Sequence, residues 1–425
     1  MVRKMFELGK SKVNEYTNKY QVDLPYLIRS EFWVYLRSGI SLITGVAVSV
    51  IFARLAPREI YGQYNYLLAI LAIVSILSIP GLKNAVLFST AKGNEGNYKV
   101  AVKTSFLWSL LGVPALLAVG AYYYYYSIEI VGVCLMISSI FFPFIYAPNI
   151  WDSFLAGKKR FDLTARYGSI QIIINAAAII GILLLDADNL VLIFITYLIM
   201  SFSVAISLYW KSLRYIENRK KDEECQKYGY FLTTTNVVGT FAKHIDKILI
   251  GTLLGASELA VYAIALVAPT SIMNLLKVAF SPIAPKISQQ GTRIVEVLAK
   301  LRGLVLPLAI MVLGSSILYW FFIDDIMLLF FGTKYMEAGV YSKVLLLMIL
   351  AVIPNSFLGT FAIAKKKTRS IVLGLHVHPF LKILIMFSFI YMWGLWGAVW
   401  GLNLSMVIQA LLLWTGIGSD ERSLE

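Results

Sequence analysis

Residues 229–254 combine the length of a membrane span with residue types that could bind ions or charged groups. The stretch is mostly apolar, yet Lys243, Asp246 and Lys247 stand near its middle. A helix places these three side chains on one face, which they share with Asn236, Gly239 and Thr240. A lysine or aspartate at the centre of a bilayer costs about 2.5–3.5 kcal/mol. We therefore expect this face to line a hydrated polar space rather than lipid.

Further cations occur inside other apolar segments, where acids are few. Asp246 is the one acid at comparable depth, and Asp152 lies near the end of a span. The excess of cations predicts an anion-binding cavity lined by Lys243, Lys247, Lys382, Lys277, Arg37, Lys83 and Asn236. Asp246 and Asp152 are candidates for coupling to an ion. No spacing of histidines, cysteines or acids predicts a metal site, and no cofactor is expected.

Several of these residues also have a purely structural interpretation. Lys243 or Lys247 could pair with Asp246, although one acid cannot neutralise two lysines. Arg37 and Lys83 could extend their charged ends to the membrane interface. The Thr233–Asn236 side chains could bind sugar hydroxyls, or could hydrogen-bond to carbonyls of their own helix.

The composition indicates the class of protein that must position these residues. The chain has 425 residues, of which 59% are hydrophobic and 15% charged, and its mean hydropathy is +0.74. These values are typical of an all-α polytopic membrane protein. Apolar segments of spanning length predict about twelve transmembrane helices, near 32–54, 63–85, 104–125, 128–150, 165–185, 189–210, 230–254, 258–283, 303–322, 340–363, 370–393 and 395–416.

The longest polar insertion divides these spans six and six. We predict an N-terminal arm and a six-helix bundle in 1–210, a cytoplasmic linker in 211–229, and a second six-helix bundle in 230–425, with a cavity between the bundles. Lysine and arginine are concentrated in alternate connections, which predicts that both termini are cytoplasmic. The same rule accounts for the net charge of +14. Nucleic acid is therefore not an expected partner.

Two short segments carry an internal repeat and a family resemblance. Residues 54–64 and 252–262 share the order Leu, small residue, Glu, apolar residue, Tyr, which predicts a parallel repeat. The run 52–64, FARLAPREIYGQY, resembles the first hairpin of the Wzx-type polysaccharide biosynthesis flippases. Residues 246–255, DKILIGTLLG, resemble the seventh span of that family. Ala56 departs from the pattern, since the family often has Gly there.

The resemblance implies a function and its partners. These flippases belong to the multidrug/oligosaccharidyl-lipid/polysaccharide exporter superfamily and work by alternating access. The expected substrate is an undecaprenyl-pyrophosphate-linked oligosaccharide of an O-antigen, capsule or exopolysaccharide, moved from the inner to the outer leaflet of a bacterial or archaeal cytoplasmic membrane. Membrane lipids, H⁺ or Na⁺, and a polymerase of the same pathway are possible partners.

Other function classes fit the sequence less well. There is no Gly-rich phosphate loop, no Ser/His/Asp arrangement and no pair of carboxylates in an aqueous loop, so we do not expect an enzyme. A multidrug or cation antiporter of the same superfamily needs an acidic or aromatic cavity, whereas this interior is cationic. A membrane glycosyl polymerase needs a large outer loop, and the longest one predicted here, 323–339, is short.

Overall fold

Helices account for every regular element that the structure describes. The computed structural model describes residues 24–126, 128–280, 310 and 313–422. Before the connection 214–223 the helices are α1 Leu24–Leu55, α2 Arg58–Val74, α3 Gly81–Ala91, α4 Asn97–Ser109, α5 Gly112–Tyr126, α6 Glu129–Tyr146, α7 Trp151–Gly157, α8 Phe161–Leu185 and α9 Leu190–Leu213. After it come α10 Glu224–Leu253, α11 Ala256–Phe280, α12 Leu313–Phe331, α13 Met336–Leu345, α14 Met348–Ala364, α15 Thr368–Val372 and α16 His378–Arg422. We call these two groups the first and second halves.

The described helices confirm an all-α polytopic membrane protein. Nine described helical segments, some made of two consecutive helices, are long and apolar enough to cross a membrane, or ten if the bent pair α13 and α14 is counted as one span. One of the nine, Thr368–Gly418, has 51 residues and a break inside it, so it corresponds to the last two predicted spans. The predicted seventh span is α10, which is too polar to pass the same test. Its charged residues set it apart from every other span.

Glycine and proline produce two breaks inside apolar segments. At Gly394 the chain has φ +56° and ψ −133°, a backbone conformation that favours glycine. This break confirms the predicted boundary between the last two spans. The second break was not predicted: Ile79 has φ +55° and Pro80 follows, so the span expected at 63–85 divides into α2 and α3. Lys83 therefore lies in the first turn of a separate helix.

The predicted outer loop 323–339 is wrong. Helix α12 continues to Phe331, and only Gly332–Tyr335 separates it from α13. The predicted loop contains Asp324 and Asp325, but Lys343 of α13 pairs with Asp324 at 2.9 Å. Because the aspartate charge is partnered, the helix can continue past it.

The connection 214–223 lies within the predicted linker and is attached to the first half. Glu95, 5% exposed, accepts hydrogen bonds from Lys158 Nζ at 2.8 Å and from the Glu217 N–H at 2.6 Å. The Gly96 N–H donates to the Lys220 carbonyl at 2.8 Å. Burial raises the pKa of Glu95, but the bonds from Lys158 and Glu217 outweigh burial and hold the pKa below its ordinary value. We call the side of the molecule that carries these segments the basic face. The domain boundaries 1–210, 211–229 and 230–425 stay predictions.

Helix α10 lies against the first half at two places where glycine permits close approach. Near its beginning, the Gly81 N–H of α3 donates to Thr233 Oγ1 at 2.9 Å, and a Cβ on Gly81 would lie 2.3 Å from the Gly229 carbonyl oxygen. Near its end, a Cβ on Gly251 would lie 2.4 Å from the Tyr66 ring of α2. These contacts hold the polar residues of α10 between the two halves.

The two repeat segments form equivalent turns. The first joins α1 to α2 and the second joins α10 to α11, with Glu59 and Glu258 in the first turns of α2 and α11. Acids are favourable there because of the helix dipole. The turns are adjacent: a Cβ on Gly62 would lie 1.8 Å from the Ala256 carbonyl oxygen. Both turns belong to what we call the opposite face.

Candidate functional site

A cavity of about 730 Å³ lies between α1, α8 and α11. Its wall on α1 runs from Trp33 to Ser49, a distance of about 24 Å at 1.5 Å per residue. Trp33 and Phe161 mark its end near the basic face, and Ser49 and Val267 mark its far end. The cavity therefore extends deep into the helical bundle.

Arg37 is the charged side chain in the described lining of this cavity. Its guanidinium lies against the backbone of α8 at Gly168, where a Cβ would be 2.3 Å from Arg37 Nε. Within the part of the chain that the structure describes, no acid or hydrogen-bond acceptor pairs with it. A guanidinium carries five donors, so Arg37 can bind an anion without first giving up a protein partner.

The rest of the described lining combines hydroxyl groups with apolar surface. Most of the hydroxyls bond to carbonyls of their own helices: Ser38 to Val34, Ser49 to Gly45, Thr270 to Leu266 and Ser271 to Val267. Asn274 is exposed and its amide has no described partner. The cavity can thus offer one cation and several polar groups to a ligand with phosphate and hydroxyl groups.

A second polar cluster surrounds Asp246, which is 6% exposed. Asp246 Oδ2 accepts a hydrogen bond from the Tyr262 hydroxyl of α11 at 3.0 Å, whereas its Oδ1 has no partner in the described structure. Neither Lys243 nor Lys247 forms the ion pair with Asp246 that the structural interpretation offered, and Tyr262 is the hydrogen-bond partner of the carboxylate in the described structure. The ammonium groups of Lys247 and Lys382 are nonetheless close enough to interact with it electrostatically, and Lys243 lies beside both.

Lys247 reaches out of this cluster to the first half. Its Nζ lies 3.4 Å from Asn65 Oδ1 of α2. Asn65 Nδ2 donates to the Tyr61 carbonyl at 3.0 Å, and the Tyr61 hydroxyl donates to Ser49 Oγ at 3.2 Å. Since Ser49 lines the cavity, polar contacts link the cavity wall on α1 to the neighbourhood of Asp246.

The structure brings some of the predicted residues together and separates others. Lys243, Lys247 and Lys382 gather near Asp246, while Arg37 lines the cavity without them. Lys83 is half-buried on α3, and Asp152, on α7, accepts from its neighbour's Ser153 N–H at 2.7 Å. Asn236 is exposed and its amide bonds to the Leu232 carbonyl of its own helix at 3.1 Å. The side chain of Lys277 lies outside the described residues.

Sequence reasoning missed four residues of these two sites: Gly168, Asn274, Asn65 and Tyr262. Gly168 and Asn274 have no local pattern that marks them. Tyr262 could have been suspected, since it ends the second repeat segment and would otherwise be a buried hydroxyl without a partner.

Similarity to known proteins agrees with this architecture. The model of the family described as "Polysaccharide biosynthesis protein" matches residues 51–340. No curated protein sequence is significantly similar to the chain.

Solved structures with the same fold are transporters. An inward-facing multidrug resistance MATE family transporter of the MOP superfamily has a TM-score of 0.66 at 13% identity, over 91% of this chain and 99% of that one. The lipid II flippase MurJ in an inward closed conformation has a TM-score of 0.63 at 17% identity, over 90% of this chain and 87% of that one. A MOP superfamily transporter from Pyrococcus furiosus, described as having a binding pocket of reverse polarity, has a TM-score of 0.60 at 12% identity, over 93% of this chain and 96% of that one.

At these identities the structural likeness establishes the fold, which is that of the MOP superfamily transporters. The family model covers more than half of the chain, so the protein belongs to the polysaccharide biosynthesis protein family.

Proposed function

We propose that the protein is a flippase for undecaprenyl-pyrophosphate-linked oligosaccharide repeat units. It carries them from the inner to the outer leaflet of a bacterial or archaeal cytoplasmic membrane by alternating access. The observation that carries this proposal is the unpaired Arg37 guanidinium in a deep cavity whose described lining has no acid. Family membership and the fold shared with a lipid II flippase support the same assignment.

The cavity chemistry suits each part of such a substrate. The planar guanidinium of Arg37 matches a phosphate group in charge and geometry. Asn274 and the serine and threonine side chains provide donors and acceptors for sugar hydroxyls. In this proposal the basic face is cytoplasmic, as the positive-inside rule predicts, so the pyrophosphate enters beside Arg37.

The lysine cluster around Asp246 would act after this first contact. Lys247 and Lys382 share the one carboxylate and Lys243 lies beside both, so the cluster keeps a positive surplus that an anion can neutralise. Lys83, Lys277 and Asn236 are proposed to extend this cationic route. Asp246 and Asp152 remain candidates for H⁺ or Na⁺ coupling. Membrane lipids and a polymerase of the same pathway are the proposed partners.

Export of organic cations is the competing function, because MATE family transporters share the fold. A cation would have to enter a cavity whose described lining carries Arg37 and no carboxylate. Like charges disfavour that entry. Lys243→Glu separates the two functions: it should cripple export of lipid-linked sugar, and a variant with retained export would contradict the anion-binding role.

The direct test of the function uses a strain in which the chromosomal copy is deleted. Lipid-linked oligosaccharide should accumulate on the cytoplasmic face, and surface polysaccharide should be lost until the full chain is restored. In that strain we expect Arg37→Ala to lower surface polysaccharide at least tenfold, because the first phosphate contact is lost. Arg37→Lys should retain part of the activity, since it keeps the charge but loses the planar fork.

Arg166→Ala is the matched control. Arg166 lies on α8, two residues before the Gly168 that Arg37 contacts. Its Cζ lies 5.2 Å from the centroid of the Trp33 ring, and it is not part of the cavity lining. It should leave export near the wild-type value. Unchanged surface polysaccharide in the deletion strain would overturn the proposed function, and unchanged export by Arg37→Ala would overturn the role of Arg37.

A further inference from the structure

Arg54 lies in the last turn of α1, well beyond Arg37 near the middle of that helix. Seventeen residues separate the two arginines, which corresponds to about 25 Å along a helix. Arg54 donates from Nε to the Phe330 carbonyl at 3.1 Å and from Nη2 to the Leu328 carbonyl at 3.1 Å, with a further bond to Leu329. These carbonyls belong to the last turn of α12, where carbonyls lack the usual intrahelical partners, although the Leu328 carbonyl also accepts from the Gly332 N–H at 3.2 Å. The guanidinium thus caps a helix of the other half.

Arg58, at the start of α2, makes a parallel set of contacts. It pairs with Glu337 Oε1 of α13 at 2.5 Å and donates to the Lys334 carbonyl. Its Cζ lies 5.3 Å from the centroid of the Tyr335 ring. Lys334 in turn donates to the Ala56 carbonyl between the two arginines. We call Arg54, Arg58, Lys334 and Glu337 the interlock.

Every described hydrogen-bond and ion-pair partner of the two arginines belongs to the second half. If the halves separate at the opposite face, both guanidinium groups lose all of these partners together. They then remain on one turn of the first half, without a carboxylate in contact: Glu59, the nearest acid in sequence, pairs with neither in the described structure. Two adjacent guanidinium groups without partners are a binding arrangement for phosphate.

We propose that Arg54 and Arg58 form a second phosphate-binding site, available when the opposite face is open. The ligand is a phosphate or pyrophosphate group, and the inference that it comes from the lipid-linked substrate rests on the proposed function. The pyrophosphate takes the place of the α12 carbonyls and of Glu337. Pyrophosphate binding therefore offsets part of the free-energy cost of separating the halves at the opposite face. When no anion is present, Arg54 and Arg58 keep that face closed through their contacts with the second half.

Two substitutions that remove the same ion pair distinguish a phosphate-binding site from contacts that only hold the two halves together. Glu337→Ala breaks the pair but leaves both arginines, whereas Arg58→Ala breaks it and removes a phosphate ligand. We expect Glu337→Ala to export polysaccharide within about twofold of wild type and Arg58→Ala to lose at least tenfold. Equal effects of the two substitutions would overturn the site.

A binding measurement tests the site without relying on transport. With inorganic pyrophosphate and the purified full-length protein in nanodiscs, Glu337→Ala should bind at least fivefold more tightly than wild type, because the Arg58 guanidinium no longer has a carboxylate partner. Arg58→Ala/Glu337→Ala should lose that gain, and Arg37→Ala/Glu337→Ala should keep it. No gain in Glu337→Ala, or a gain that survives the loss of Arg58, would overturn the proposal. Glu337→Gln and Arg58→Gln repeat the comparison if either alanine variant fails to fold.

The two proposals fail in distinguishable ways. If the deletion strain keeps its surface polysaccharide, the flippase function is wrong, whatever pyrophosphate does at Arg58. If deletion removes surface polysaccharide but substitutions at Glu337 and Arg58 do not change pyrophosphate affinity, the flippase function stands and the second site does not exist.

Discussion

At the scale of single residues, the charge balance around Asp246 is the unusual feature. Its carboxylate interacts electrostatically with Lys247, Lys382 and His244, yet its hydrogen bond comes from the neutral Tyr262 hydroxyl. A buried carboxylate oxygen without a hydrogen bond is costly, and Oδ1 has none in the described structure. We therefore propose that Asp246 takes up a proton, a cation or a lysine contact when the halves rearrange.

Asp246→Asn and Tyr262→Phe separate charge from hydrogen bonding at this site. We expect Asp246→Asn to insert normally and to abolish any pH or Na⁺ dependence of export, because the carboxylate is the group that would change its charge. Tyr262→Phe should keep that dependence and lower thermal stability in detergent by about 1–3 kcal/mol, the range for a buried group that loses its partner. Export assays at several pH and Na⁺ values measure the first effect. Dependence that persists in Asp246→Asn would reject the coupling role.

Helical periodicity predicted which residues of α10 share a face, but not which residues meet them. The spacing of Lys243, Asp246 and Lys247 follows from 3.6 residues per turn. Tyr262 and Asn65 meet that face only because of the turn before Ala256 and the close approach of α2, and both are contacts between helices. A single sequence shows periodicity directly, whereas contacts between helices depend on packing that no local pattern records.

At the scale of elements, the connection 214–223 behaves as part of the first half. Glu95 joins it to Lys158 and to the backbone of Glu217, and Lys158 also donates to the Tyr215 carbonyl at 2.8 Å. The beginning of α10 is attached to the same half through Thr233 and Gly81. In the proposed alternating-access cycle, movement of the second half would therefore be absorbed within α10, beyond Thr233.

Glu95→Gln should loosen this attachment. We expect a loss of about 1.5–3 kcal/mol of stability at neutral pH, the range for hydrogen bonds to a charged group, measured by thermal unfolding in detergent. The folded protein lowers the pKa of Glu95, so its contribution is complete above the ordinary glutamate value of about 4.3 and is lost as the pH falls through the lower folded value. The difference between wild type and Glu95→Gln should vanish in that acidic range. A difference that is independent of pH would contradict the charge-based explanation.

Helix boundaries were predictable where the amino-acid composition changes. They were not predictable where the backbone conformation breaks a helix inside a continuous apolar run. Gly394 separates two apolar runs and was recognised from its position. The break at Pro80 lies inside a continuous apolar run, and a proline there could equally have been a kink in one helix. The sequence predicts a loop at Asp324 because the partner of this residue, Lys343, is contributed by another helix and no local pattern shows the pairing.

At the scale of the whole molecule, the two halves meet at the opposite face and enclose a cavity that extends from the basic face. Three close approaches define the closed side: Gly62 against Ala256, Gly251 against Tyr66, and the interlock. The cavity ends at Ser49, just beneath them. Alternating access requires these contacts to break and re-form in each cycle, so a side chain that prevents them from forming should hold the molecule open at this face.

Gly62→Ala should be that substitution. Its Cβ would lie 1.8 Å from the Ala256 carbonyl oxygen, and the clash is with backbone that no side-chain rotation can relieve. We expect export to fall at least tenfold. A cysteine at Ser49 reports the state of the cavity, because the native Cys134 and Cys225 are both buried. A membrane-impermeant thiol reagent added from outside should label Ser49→Cys at least fivefold faster when Gly62→Ala is also present.

Gly181→Ala provides the matched control for this substitution. Gly181 lies within α8, and an added Cβ there meets nothing within 4 Å. The change should leave both export and Ser49→Cys labelling at wild-type values, with slightly higher stability because alanine favours a helix by about 0.5–1 kcal/mol over glycine. Suppose that Ser49→Cys in the folded Gly62→Ala variant were labelled only by reagent added from the cytoplasmic side. The contact between α2 and the turn before α11 would then not be what closes the opposite face. The interlock alone would then have to seal the opposite face.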